Sequence, residues 1–198
     1  MRSKLLARLA FALLLAEILL VLLSWLLSAV PTAEVRSLLT GEGLRWLLGR
    51  MGECLSTPVL VWLVLLGMAW GCLVRSGLLQ LRASLSHPSS RDRVALVCMS
   101  VLVVLYVGVM LLLTVTPHAI LLSATGALFP SPFSASIVPV VSFGVTLCAI
   151  LYGIVSGRIN SLADIYLAML QGIRDVAPLL FFYILFTQIY YTLRFVFP

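Results

Sequence analysis

Glu17 is the one acidic residue deep in a long apolar run, with Leu13 to Ala16 before it and Ile18 to Val21 after it. A carboxylate is costly to hold in hydrocarbon, so an acid at that depth is by default a functional hypothesis, here a proton or cation ligand. The competing reading is a carboxyl kept neutral, or bonded to a partner helix, for assembly alone. A second polar group follows much later, where Asn160, Ser161 and Asp164 interrupt apolar sequence. Ser161 with Asp164 three residues on is a helix-capping signature, and Asp164 and Asp175 read as helix-start acids facing the macrodipole. Asn160 and Asp164 also stand as substrate or ion candidates. So does Gln188, which with Thr187 lies in an apolar run and can hydrogen-bond across helices.

The remaining polar side chains suggest no catalytic centre. His118, after Thr116 and Pro117, reads as an external loop residue rather than a ligand. Cys54, Cys72, Cys98 and Cys148 have no metal-type spacing, and three of them lie in or beside apolar runs, where Cys is a small packing residue. Neither a disulfide framework nor a metal site is expected. There is no nucleotide loop, triad or paired-carboxylate pattern, so the chain does not read as an enzyme and no cofactor is implied.

The elements that must position these residues follow from composition. Apolar residues make up 62% of the 198 residues and charged residues only 10%, against roughly half and a quarter in ordinary soluble domains. The fold class is therefore an all-α integral membrane protein, whose solvent partner is the lipid bilayer. Runs approaching the ~20 residues a helix needs to cross hydrocarbon predict about five transmembrane helices, near 5–30, 58–79, 94–115, 137–155 and 176–197. Two interfacial amphipathic helices are expected near 33–55 and 161–174, the first divided at Gly41 and Gly43. All of this reads as a single membrane domain, 1–198. The basic, then apolar N-terminus reads as an uncleaved first helix, because its apolar run is too long for a signal sequence.

Basic residues give the orientation. Arg2, Lys4, Arg8, Arg75, Arg82, Arg91, Arg93, Arg158 and Arg174 fall on one side, and Arg36, Arg45, Arg50 and Arg194 on the other. The positive-inside rule then places the N-terminus in the cytoplasm and the C-terminus outside. The net charge of +6 is this topology signal and gives no reason to invoke nucleic acid. The loop at 116–135 carries neither Lys nor Arg. Whether it dips into the membrane or lies outside stays open, and its prolines argue against a continuous helix there.

Gly67 with Gly71, and Gly153 with Gly157, form two Gly-x-x-x-Gly pairs. That spacing lets helix backbones approach closely and marks candidate packing faces. The stretches from Gly67 to Gly77 and from Tyr152 to Arg158 also echo each other, each closing a span with small residues and an Arg.

One longer pattern combines these features. Ser131-Pro-Phe, Ile137-Val138-Pro139, Tyr152-Gly153-Ile154, Gly157, Ile159, Ser161, Asp164, Phe186 and Gln188 resemble the later part of the AbgT family, the p-aminobenzoyl-glutamate and antimetabolite transporters. Leu38-Leu39, Glu42 to Leu48, Gly67 and Ser76 to Leu79 resemble that family's early part. The resemblance implies a membrane transporter for p-aminobenzoyl-glutamate-like or other anionic metabolites, working as a homodimer or with a second membrane subunit, with Na+ or H+ as coupling cation. Family members are longer and carry substrate sites on re-entrant hairpins and broken helices. The chain resembles a reduced form without those hairpin regions, so a non-transporting scaffold or accessory subunit is the alternative, and a degenerate remnant a third.

Overall fold

The computed structural model describes residues 2–29, 35–80, 90–115 and 132–197. Among the described residues there are six α-helices and no strand: α1 (Arg2–Ser28), α2 (Gly41–Leu55), α3 (Pro58–Ser76), α4 (Ser90–Val115), α5 (Pro132–Val155) and α6 (Leu162–Val196). Five of these, all but α2, contain stretches long and apolar enough to cross a membrane. Large apolar side chains such as Phe11, Trp25, Val104, Leu112 and Phe143 are exposed along them. In water that much exposed apolar surface would drive association, whereas in a bilayer it is the surface that meets lipid.

The chain divides into two compact units, one made of Met1–Val61 with Ala177–Pro198 and the other of Trp62–Val176. In the first, the link into α2 is tied at both edges. The Ser24 hydroxyl accepts the Leu38 N–H at 3.2 Å, and the Arg36 N–H donates to the Val196 carbonyl at 3.1 Å. Thr40 caps α2, its hydroxyl accepting the Gly43 N–H at 3.3 Å. Gly43 is required by space: a Cβ there would lie 2.5 Å from the Leu38 backbone. Residues 35–40 precede the helix, so α2 is shorter than the 33–55 expected from sequence. Its start at Gly41 is set by the Thr40 cap and the tight turn beneath Gly43.

In the second unit, α3 and the first half of α6 come together through glycines. A Cβ on Gly71 would stand 2.6 Å from the Gly172 nitrogen, and one on Gly172 2.7 Å from the Gly71 nitrogen. Gly67 lies alongside, where a Cβ would press on Val176 at 3.1 Å. Lipid tails are as apolar as Leu, so helices in a bilayer associate by close van der Waals packing, which small residues permit. The same logic fills the buried clusters: Cys72 with Ala149 and Ala168, and Ala95 with Tyr152. Between α4 and α5 the Tyr106 hydroxyl donates to the Val140 carbonyl at 2.7 Å, and the Tyr106 ring lies over Gly144.

The expected surface helix at 161–174 and span at 176–197 are one helix, α6, of 35 residues. Asp175 and Pro178 suggested a fresh helix start. Instead Asp175 accepts a hydrogen bond from the Gln171 side chain at 2.8 Å, an i,i+4 pair that bridges the expected break, and Pro178 lies inside the helix. At ~1.5 Å per residue α6 is about 50 Å long, well beyond the ~30 Å of hydrocarbon. The segment 116–131, with His118, lies outside the described residues, and α5 starts at Pro132, where the fixed φ suits a first helical position.

Candidate functional site

The polar residues of the second unit gather where helices end. α3 stops at Ser76 and is followed by Gly77 at φ +74°, while α5 stops at Val155 and is followed by Ser156 and Gly157 at φ +77°. Each φ lies in the left-handed region that glycine enters without a Cβ clash. After α5 the Gly157 N–H reaches the Ile154 carbonyl at 3.0 Å and the Arg158 N–H reaches the Gly153 carbonyl at 2.9 Å. That double bond pattern is a Schellman helix end. Gly77 repeats part of it, its N–H meeting the Val74 carbonyl at 3.2 Å. The echo between the two stretches is thus a repeated Ser-Gly helix stop.

This also places Gly153 and Gly157 elsewhere than expected. Gly153 lies under the Ile159 side chain of its own following turn and Gly157 supplies the positive φ. Their spacing serves the end of α5, whereas Gly67 and Gly71 lie against Gly172 of another helix.

Arg158 leaves that turn and connects three helix ends. Its guanidinium donates to the Ser76 carbonyl at 3.0 Å, stands 3.9 Å from the Asp92 carboxylate, and lies 5.8 Å from the Tyr152 ring centroid. The same Asp92 oxygen accepts the hydroxyl of fully buried Tyr152 at 3.0 Å. Beside this, Arg75 reaches Asp164 at 3.1 Å. Asp164 accepts from the Asn160 N–H at 3.2 Å and the Ser161 hydroxyl at 2.9 Å, and its own N–H donates to Ser161 at 3.2 Å. Of the sequence candidates, Asn160 and Asp164 are therefore brought together, at the cap of α6. Every charge in this group has a partner within it, so the chemistry it performs is to lock helix ends together.

Glu17 is different. In the first unit its Oε1 accepts the hydroxyl of Thr192, a fully buried residue of α6, at 2.7 Å. Its other oxygen, Oε2, is buried with no hydrogen-bond partner among the described residues. A buried carboxyl oxygen left unbonded is expensive, and a proton or a small cation would satisfy it. Gln188 is half-buried one turn before Thr192, and no described residue bonds its amide. Glu17 and Gln188 belong to the first unit, Asn160 and Asp164 to the second.

Sequence reasoning gave no site role to Asp92, Tyr152, Arg158 or Thr192. Asp92 was hidden between Arg91 and Arg93, where it reads as loop charge. Thr192 left one clue: it falls four residues after Gln188, on the same helical face.

Residues 82–194 match a family model described as "AbgT putative transporter family". The match covers more than half of the chain and includes Asp92, Tyr152, Arg158, Asp164, Gln188 and Thr192; the earlier resembling patch at 38–79 lies outside it. No curated protein and no solved structure matches the chain.

Proposed function

The chain belongs to the AbgT transporter family, and from that premise we propose that it is a membrane transport protein for p-aminobenzoyl-glutamate-like or other anionic metabolites. The family match over residues 82–194 is the observation that carries the reading. It is supported by span-length helices with lipid-facing apolar surface and by a carboxyl at Glu17 with one oxygen unbonded. In this account Glu17 holds the coupling cation, Na+ or H+, with Thr192 positioning it. The N-terminus is cytoplasmic and the C-terminus outside, in a bacterial inner membrane. The working form is a homodimer or an assembly with a second membrane subunit, which completes the substrate path.

One observation favours the second reading, a non-transporting scaffold or accessory subunit. Midplane sites in secondary transporters are made by discontinuous helices that offer free backbone groups to the ligand. Among the described residues the spans run as continuous helices, and the polar groups of the second unit close on one another at helix ends. Uptake of p-aminobenzoyl-glutamate by cells expressing the chain separates the two. Uptake above the empty-vector background supports transport. Background uptake both from the chain alone and from the chain co-expressed with a second membrane subunit supports the non-transporting role.

A further inference from the structure

All four basic residues of the less basic side, Arg36, Arg45, Arg50 and Arg194, line one open cleft of about 560 Å³ in the first unit. Glu42, Trp46, Tyr191 and Phe195 complete its walls. Four guanidiniums against one carboxylate leave a strongly positive lining. Arg50 has a distant partner in Glu53 at 3.8 Å, and among the described residues no carboxylate lies within ion-pair distance of Arg36, Arg45 or Arg194. Like charges gathered this way repel unless an anion sits among them.

The walls hold the arginines in place. Trp46 stacks on Phe195 with ring centroids 4.6 Å apart and planes at 23°, fixing α2 against the end of α6. The Arg36 N–H bonded to the Val196 carbonyl brings the link before α2 to the same place. On α2, Glu42, Arg45, Trp46 and Arg50 share the cleft face, while Leu44 and Leu48 point the other way and are 43% and 78% exposed. A helix with one such apolar face lies in the membrane interface with its basic face at headgroup level. The stack of Trp46 on Phe195 keeps Tyr191 and Arg194, near the end of α6, beside that basic face.

We propose that this cleft binds the phosphate headgroup of an anionic phospholipid. Guanidinium forks pair bidentately with phosphate oxygens, and the aromatic walls give the glycerol and first acyl carbons an apolar surface. The lipid joins α2 and the link before it to the end of α6. The site depends on membrane embedding alone and does not require that the chain transport anything.

The test uses the full-length chain reconstituted in vesicles of equal parts phosphatidylglycerol and phosphatidylcholine, then extracted and weighed with its retained lipid by native mass spectrometry. The wild type is expected to retain phosphatidylglycerol over phosphatidylcholine, and less of it as salt rises. The pair Arg45→Gln and Arg194→Gln is expected to lower that retention about 30-fold while phosphatidylcholine stays unchanged, given the attraction each basic residue adds near anionic lipid. Wild-type retention in the vesicle ratio overturns the proposal without reference to any variant. So does a folded double variant, judged by circular dichroism, that keeps its phosphatidylglycerol. Displacement of the lipid by millimolar inorganic phosphate assigns the cleft to a soluble anion and overturns the lipid source.

Discussion

At Glu17 the two carboxyl oxygens stand in different situations, one bonded to Thr192 and the other buried and bare. Replacing Glu17 by Gln keeps an oxygen to accept the Thr192 hydroxyl but removes the group that takes up a proton or cation. Glu17→Gln is therefore expected to assemble like the wild type and to lose cation-dependent flux, whereas Glu17→Leu loses the bond to Thr192 as well and lowers the thermal unfolding temperature. Unchanged flux and unchanged assembly in Glu17→Gln would remove Glu17 from the account. The acid itself was legible in the sequence because an ionisable group among leucines is costly to hold in hydrocarbon and so marks a position with a specific role. Its partner was not, because Thr192 is 175 positions away and only the fold brings such residues together.

The helices show how one spacing supports two structures. Gly67 and Gly71 allow α3 to touch Gly172, while Gly153 and Gly157 shape the end of α5. Four-residue spacing alone cannot distinguish them; what differs is the helix stop after Ser156, where φ turns positive. Gly71→Leu is expected to destabilise the second unit by roughly 1–3 kcal/mol, toward the upper end because the neighbouring atoms are backbone and cannot rotate away. Gly157→Ala is expected to cost roughly 1–2 kcal/mol through its left-handed φ alone. Gly49→Ala, in open space within α2, is expected to stabilise by roughly 0.5–1 kcal/mol. Thermal unfolding in detergent ranks the three, and a Gly71→Leu protein as stable as the wild type would contradict the close contact with α6. The five spans were legible because hydrocarbon demands length and apolarity together. The continuity of α6 was not, since Asp175 and Pro178 are also what a new helix start looks like, and the Gln171 bond that bridges them is a matter of side-chain geometry.

For the molecule as a whole, the family supplies the function class, and the proposed orientation rests on the distribution of basic residues. The orientation predicts that a membrane-impermeant thiol reagent applied outside labels Ser56→Cys, near the end of α2, and leaves Ser161→Cys unlabelled until the membrane is opened, both in a background without the four native cysteines. The reverse pattern would invert the topology. The central claim is that an AbgT-family chain of this kind moves an anionic metabolite across the bilayer. Its most direct test is uptake of labelled p-aminobenzoyl-glutamate into sealed proteoliposomes holding the purified full chain, with a Na+ or H+ gradient imposed. The account predicts accumulation above protein-free vesicles that collapses with the gradient and is lost in Glu17→Gln. Uptake equal to protein-free vesicles under both gradients, from a chain shown to be folded and inserted, both alone and with any second membrane subunit that co-purifies with it, would contradict it.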